Sequence, residues 1–334
     1  MIGYLKTYLS LQLQKLQAVA SRKNRTIGVS LLRVTLGTII LAVYVHHIAL
    51  REFLWGDQGV IAYADFAQLM HMRKSFSLFL FSSNPMFGTM VFYAGMLVSL
   101  AFTLGFMTRI TSVFFYIFTW SLYTRNPFCL DGGDNLLYLL AFYLMFTDCG
   151  AHFSIDRALR KKEPSRDNPF VALIHNFGVM ALVAQMCLLY FTSAFFKMQG
   201  HMWQDGTAIY YILRAAEFNL SPMAKIFWAN DTVVTLLTWS TMIFQMSWPF
   251  LIFQRKARPV LAFGALCLHG MIGYFMGLFW FSAVMISGEL IIFDDKDYNV
   301  MGRLLSKLWN VLMARFSLLR QISEKKQRAA SSAV

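Results

Sequence analysis

The chain has 334 residues, of which 57% are hydrophobic and 14% charged, and its formal net charge is +13. Soluble domains carry about a quarter charged residues, so this composition excludes an ordinary soluble globular protein. Long continuous apolar runs also exclude a transmembrane β-barrel, whose strands give short alternating segments. The sequence therefore predicts an all-α integral membrane protein.

Apolar runs along the chain predict a helical bundle of about eight transmembrane helices, because a helix needs about 20 residues to cross the ~30 Å apolar core of a bilayer. Residues 1–25 precede these runs and are amphipathic and basic, which predicts an interfacial helix on the inner membrane surface. The runs cover residues 27–49, 86–105, 107–123, 135–148, 169–196, 228–253, 259–276 and 278–293.

The distribution of Lys and Arg predicts the orientation of these helices. If the first run starts at the inner face, most of the 30 Lys and Arg residues fall on the cytoplasmic side, as is usual for multi-pass proteins. We therefore expect a membrane domain over 26–295 with both termini cytoplasmic. Residues 296–334 form a basic amphipathic tail, which predicts a second interfacial helix attracted to membrane lipid. The positive charge then needs no nucleic acid to explain it.

Two connections on the predicted outer side, 50–85 and 197–227, are long and carry apolar and aromatic residues. Loops of that length in a compact protein are usually packed or functional. We expect both connections to fold back on the membrane.

The stretch YTRNPFCLDGGD at 123–134 joins the third and fourth runs on the outer side. Its Asn-Pro pair ends the third helix, and its Gly-Gly pair permits a tight turn before the fourth helix, which Asp134 is placed to cap. One interpretation is structural, with an ion pair between Arg125 and an aspartate holding the turn. The other assigns Arg125, Asn126 and Asp131 to ligand binding and Asp134 to proton handling.

A single lysine, Lys197, follows the fifth apolar run, and His201, Trp203 and Asp205 come directly behind it. A lysine that is partly removed from water gives up its proton more readily and can then act as a base. Alternatively, Lys197 extends outward to water beside a tryptophan at the membrane interface. The sequence leaves both interpretations open.

His269 lies inside the seventh apolar run, and Glu289 lies inside the eighth. A polar group at such a depth should face a partner within the bundle, so His269 either makes an interhelical hydrogen bond or belongs to a site. No metal site is predicted, because the adjacent His46 and His47 point about 100° apart on a helix and the four cysteines lack metal-ligand spacing. The sequence also lacks nucleotide-binding and hydrolase motifs.

Blocks of the sequence resemble, in order, those of the HTTM (horizontally transferred transmembrane) domain proteins, a family related to vitamin K-dependent γ-carboxylase. These blocks are SLLRVTLG at 30–37, NPFCLDGGDNLLYLLAFYLMFTDCGAHFSID at 126–156 and YFTSAFFKMQGHMWQDGTAIYYIL at 190–213. Within the family, FLIFQRKARP at 250–259 and HGMIGYFMGLFWFSAVMISGELIIF at 269–293 are most similar to the SdpB (sporulation-delaying protein B) subgroup.

The resemblance to the SdpB subgroup implies a multi-pass protein of the bacterial inner membrane, needed for maturation or export of a secreted antimicrobial peptide toxin. Its expected partners are a small secreted peptide precursor, a partner maturation subunit and membrane lipid. A non-catalytic membrane scaffold or immunity protein is a further reading of the same sequence.

The relation to the carboxylase implies an alternative, a membrane carboxylase or oxygenase that uses a reduced, vitamin K-like quinone. In that reading Lys197 takes the position of the catalytic base. The carboxylase has two adjacent lysines at this place, whereas this chain has Phe196 followed by Lys197. Asp134, which stands in place of a histidine of the carboxylase, and His269 would orient groups or relay protons. The residues implied in substrate or quinone binding are Arg125, Asn126, Asp131, Trp203 and Asp205.

Overall fold

The computed structural model describes residues 21–160, 168–218 and 221–331, in which all regular secondary structure is helical. The nine main helices are α1 Thr26–His46, α2 Pro85–Leu104, α3 Thr108–Arg125, α4 Gly132–Leu144, α5 Pro169–Met198, α6 Asp231–Leu251, α7 Arg258–Phe275, α8 Phe279–Gly288 and α9 Asp295–Ser331. Shorter helices are Arg51–Trp55, Tyr63–Arg73, Ile155–Leu159, His201–Gln204, Ala208–Ile212 and Lys225–Trp228, with 3-10 turns at Leu78–Phe81, Pro127–Cys129, Pro222–Ala224 and Glu289–Ile291.

The eight predicted apolar runs coincide with α1 to α8, which confirms the all-α class. Four of these helices, α1, α2, α5 and α7, are long and apolar enough to cross a membrane. Two others are short, since α4 has 13 residues and α8 has 10, against the ~20 that a perpendicular span needs. A bundle of eight spans therefore stays a prediction.

The long helices pack as neighbours around one apolar core. α1 packs along α2, α2 along α3, and α5 along α6, while α8 contacts α1, α4 and α7. A glycine sets the closest approach in the first pair, because a Cβ at Gly37 would collide with the side chain of Thr103. Both long connections, 50–85 and 197–227, contain short helices that pack on this bundle, and their contact with a membrane stays a prediction.

Arg33 joins three segments of the fold from inside α1. Its side chain is fully buried, and its guanidinium donates to backbone carbonyls only, within the described part of the chain. Gly105 lies against it with φ +69°, and a Cβ there would come within 2.7 Å of Arg33 Nη1. The five accepting carbonyls belong to Phe102 (2.7 Å), Thr103 (2.6 Å), Cys149 (2.9 Å), His152 (3.3 Å) and Phe153 (2.5 Å).

The polar stretch that precedes α9 fastens the start of α1. The carboxylate of Asp295 accepts the backbone N–H groups of Thr26 (3.1 Å) and Ile27 (2.8 Å), so it caps α1 from a distant point of the chain. The neighbouring Asp294 accepts from Arg25 (3.1 Å) and from Arg258 (2.7 Å) at the start of α7. These contacts lock α1, α7 and α9 together at the predicted cytoplasmic end.

Acid is expected to weaken this end of the protein. Burial alone would raise the pKa of Asp148, but the hydrogen bond and charge of Lys23, 2.6 Å away, outweigh it and leave the pKa lowered. Burial would also raise the pKa of Asp156, but hydrogen bonds from the Thr108 hydroxyl and the first N–H groups of α3 lower it. Likewise, burial would raise the pKa of Asp294, and Arg258 lowers it. A carboxyl group whose pKa is lower in the folded protein than in the unfolded chain stabilises the fold. This stabilisation is complete when the pH is above the pKa of the unfolded chain, about 3.9, and it is lost as the pH falls through the pKa of the folded protein.

The melting temperature of the detergent-solubilised protein should therefore decrease when the pH is lowered below about 4. Asp148→Asn should remove part of this dependence, because the variant has no carboxyl to protonate at that position. The control is Asp65→Asn at an exposed position of the 50–85 connection, which should leave the profile unchanged. An Asp148→Asn profile identical to that of the wild type would contradict the role of the Lys23–Asp148 pair.

Of the two predicted interfacial helices, the structure describes the C-terminal one. The N-terminal one is predicted over residues 1–25, of which residues 1–20 lie outside the described part of the chain. In the tail, α9 carries exposed apolar side chains, including Val300, Leu304, Leu308 and Val311. Such a helix has the apolar surface that membrane association needs, and its position on a membrane stays a prediction.

Candidate functional site

A buried polar network lies between α5, α6, α7 and the 3-10 turn after α8. The Tyr190 hydroxyl donates to Glu289 Oε1 at 2.8 Å and lies 3.2 Å from His269 Nε2. The indole N–H of Trp248 donates to Glu289 Oε2 at 3.2 Å, and its ring stacks on Tyr190 with centroids 4.8 Å apart. All four side chains are at most 5% exposed. The network thus places a carboxyl, a phenol and an imidazole in direct contact inside an apolar bundle.

Helical spacing explains how the sequence builds this network. Tyr190, Ser193 and Lys197 lie three and four residues apart, so they share one face of α5. Gln245 and Trp248 are likewise three apart on the facing surface of α6. Polar groups inside an apolar bundle need partners from neighbouring helices, and the Ser193 hydroxyl of α5 finds its partner in Gln245 of α6.

Lys197 lies about two turns above Tyr190 and is drawn inward. Its ammonium donates to Ser193 Oγ at 2.6 Å, and the Ser193 hydroxyl donates to Gln245 Oε1 at 3.3 Å. The same ammonium lies 5.4 Å from the centroid of the Trp203 ring. Trp203 contacts Lys197 as the interfacial interpretation expects, while Ser193 turns the lysine toward the network.

Asp131 and Asp134 cap α4 together. Asp131 is the N-cap residue and accepts the N–H groups of Gly133 (2.6 Å) and Asp134 (3.2 Å), whereas Asp134 accepts the N–H of Asp131 at 2.9 Å. This capping box differs from the expected single cap by Asp134, because the helix begins three residues earlier than the apolar run. Phe281 of α8 packs on Gly133 and contacts the His269 ring (5.8 Å between centroids), which links the start of α4 to the network.

Arg125 and Asn126 lie apart from Lys197 and hold the 50–85 connection. The buried guanidinium of Arg125 donates to the Gly56 carbonyl and lies 4.8 Å from the centroid of the Phe66 ring. Asn126, also buried, donates to the Leu54 carbonyl at 2.9 Å. Arg125 therefore pairs with the connection and not with the aspartates of the α4 turn.

Asp205 is exposed on the turn after the short helix His201–Gln204. Among the candidate residues, the structure brings Lys197 and Trp203 together and places His269 in the network with Tyr190 and Glu289. Asp131 and Asp134 lie at the start of α4, where Phe281 stands between them and the His269 ring. Arg125 and Asn126 form a separate cluster.

An apolar cavity of about 320 Å³ lies beside the network, between the short helix Ala208–Ile212, α6 and α7. Phe244 forms part of its wall and contacts the Tyr190 ring, with centroids 5.9 Å apart. Leu268, the residue before His269, is in the wall as well. A space of this size and lining can hold the hydrocarbon part of a ligand.

Sequence reasoning missed Tyr190 and Trp248, because tyrosines and tryptophans in apolar runs are also ordinary packing residues. Glu289 carried the same signal as His269, an ionisable group at membrane depth. That signal does not say which groups face each other, so the contact of Glu289 with Tyr190 was not predicted.

Comparison with known proteins agrees with the resemblance seen in the sequence. The model of the HTTM domain matches residues 22–298, a range that includes the whole network. The chain is 24% identical over 198 residues to the uncharacterized protein YitO of Bacillus subtilis, covering 57% of this chain and 62% of that protein. It is 23% identical over 224 residues to sporulation-delaying protein SdpB of the same organism, covering 64% of this chain and 66% of SdpB. The chain thus spans slightly less than two thirds of either relative, and no solved structure matches it.

Proposed function

Because this chain belongs to the HTTM domain family, we propose that it is an SdpB-like membrane protein needed to mature or export a small secreted antimicrobial peptide. It would act in the bacterial inner membrane as a multi-pass protein with both termini cytoplasmic, together with a partner maturation subunit. The membrane domain over 26–295 would carry the site, and the 197–227 connection would meet the peptide precursor at the outer face.

The observation that carries this proposal is the polar network beneath Lys197. Ionisable groups inside a membrane bundle are costly, and where they occur they commonly mark functional sites. Lys197 sits at the junction of α5 and the 197–227 connection, half-buried and hydrogen-bonded to Ser193. A substrate that reaches this junction would meet Lys197 first and the network behind it.

Mass spectrometry of the secreted peptides tests the proposal directly. Peptides in the medium of source cells would be compared between wild-type cells and cells that lack this chain. We expect at least one small peptide to lose its mature form and to remain inside the cell or appear with its precursor mass. Identical secreted peptides in both cultures would reject the proposal and favour a scaffold or immunity protein.

The apolar cavity favours a second candidate function, a carboxylase or oxygenase that depends on a reduced quinone. The cavity has room for the hydrocarbon part of such a molecule, and its Phe244 wall separates it from Tyr190. When bound, a reduced quinone would supply the reducing equivalents of the reaction. Lys197 would take up a proton as base, Asp134 would hold the start of α4, and His269 would receive protons behind Lys197.

The same mass spectra distinguish the two functions. A peptide that gains the mass of one carboxyl group in the presence of this chain would support the second candidate, whereas a new cleavage would support the first. Processing that persists in quinone-depleted membranes would count against the second.

A further inference from the structure

The Tyr190 hydroxyl lies between two groups that can each hold a proton. Both oxygens of Glu289 face donors, the Tyr190 hydroxyl at 2.8 Å and the Trp248 indole at 3.2 Å. The phenol has one proton and gives it to Glu289, so its oxygen is free to accept from His269 Nε2 at 3.2 Å. With Glu289 ionised, this arrangement favours the His269 tautomer that carries the proton on Nε2 and a lone pair on Nδ1.

His269 Nδ1 is the atom that this hydrogen-bond pattern does not explain. The side chain is 1% exposed, and Nδ1 has no hydrogen-bond partner among the described residues. Buried polar atoms are almost always paired, so an unpaired acceptor next to a satisfied network indicates a role that the resting structure leaves unfilled.

We propose that His269, Tyr190 and Glu289 form a proton relay, in which His269 Nδ1 accepts the proton and Glu289 stores it. The donor is an acidic O–H group, which in the simplest case is a hydronium ion that leaves as water. A proton binds Nδ1, the Nε2 proton passes to the Tyr190 oxygen, and the phenolic proton passes to Glu289 Oε1. The products are a neutral imidazole protonated at Nδ1, an intact phenol and a neutral carboxylic acid. No electrons are transferred.

The surroundings drive the proton toward Glu289. A carboxylate buried in an apolar bundle is unfavourable, and protonation removes its charge. A lasting imidazolium is unfavourable too, because the His269 side chain is 1% exposed within an apolar bundle. Among the described residues the groups facing the relay are Tyr190 from α5, Phe244 and Trp248 from α6, His269 from α7, Phe281 from α8 and Glu289 after it, and the charged Lys197 lies about two turns from Tyr190 on α5.

This relay deepens the proposed function and rests on it for its purpose, since it can accept, away from the outer surface, a proton that Lys197 has released to water. A base at Lys197 must pass on its proton before the next cycle, and Tyr190 of the relay lies about two turns away on the same face of α5. The existence of the relay can nevertheless be tested without any peptide, so the two proposals can fail separately.

The test combines two spectroscopic measurements on the full-length protein in lipid nanodiscs. Nitrogen NMR of ¹⁵N-histidine-labelled protein reports the tautomer of His269, with the signals assigned by His269→Gln. Infrared difference spectroscopy reports the carboxylic acid band of Glu289, assigned by Glu289→Gln. As pH is lowered, we expect the Nε2–H tautomer to change to Nδ1–H at the same midpoint at which Glu289 becomes protonated, without an intermediate imidazolium.

Two variants make the test specific. Tyr190→Phe removes the central hydroxyl, so His269 should keep its tautomer while Glu289 is protonated. Trp248→Phe removes the other donor to Glu289 and leaves the relay intact, so the coupled change should persist with a shifted midpoint. A constant His269 tautomer in the wild type, or unaltered coupling in Tyr190→Phe, would overturn the relay.

If Tyr190→Phe does not fold, 3-fluorotyrosine at position 190 takes its place, because it keeps the hydroxyl and makes it more acidic. The coupled midpoint must then move, and an unmoved midpoint rejects the relay.

Discussion

Replacing Arg33 with methionine is expected to lower the free energy of unfolding by roughly 3–5 kcal/mol. The variant removes a charged donor from five backbone carbonyls, which come from the end of α2 and from the segment after α4. Hydrogen bonds to charged groups are worth about 1.5–3 kcal/mol each, and removing the buried charge offsets only part of their loss. The remaining deficit is large because these carbonyls lie beside a fully buried side chain with little access to water.

Unfolding of the purified protein in mixed micelles, followed by SDS titration, would measure this loss. Arg33→Lys is the informative partner variant, because it keeps the charge but cannot span carbonyls that a planar guanidinium reaches in several directions. We expect it to recover less than half of the loss. The matched control is Arg73→Met at an exposed position, with an expected change within about 0.5 kcal/mol. Equal stability of Arg33→Met and Arg73→Met would refute the structural role of Arg33.

Replacing Lys197 with alanine is expected to reduce formation of the mature peptide by about 10²–10⁴-fold, the usual contribution of a general base. The ammonium is held by Ser193 and lies over Trp203, so its loss removes a cation from the junction of α5 and the 197–227 connection. Mass spectrometry of the secreted peptide over time gives the rate of processing, normalised to the amount of each variant in the membrane.

The nature of the substitution at Lys197 separates a base from a fixed charge. Arginine keeps the positive charge but does not give up its proton, so Lys197→Arg should be as inactive as Lys197→Ala if Lys197 is a base. Activity of Lys197→Arg near the wild-type level would instead assign it a purely electrostatic role.

The matched control for both variants is Lys225→Ala, at an exposed lysine of the same connection, and it should process normally. Unchanged processing in Lys197→Ala would reject both site-based functions and leave the scaffold.

Much of the architecture follows from the sequence because a bilayer allows few solutions. Spanning segments must be apolar and must satisfy their own backbone hydrogen bonds, so the eight apolar runs already indicate α1 to α8. The LDGGD turn similarly marks the start of α4, although the cap falls on Asp131 and not on Asp134 alone. Lys197 and His269 could be singled out for the same reason, since charged and polar groups are rare at membrane depth.

The pairing of these groups was decided only by tertiary structure. Tyr190, Trp248, His269 and Glu289 come from four separate segments, and they meet because of how each helix is rotated and how deeply it lies. Neither quantity has a local signature in the sequence, since any face of an apolar helix can turn toward a neighbour. Arg33 shows the limit most clearly, because its partners are backbone carbonyls, which every residue carries and no sequence pattern marks.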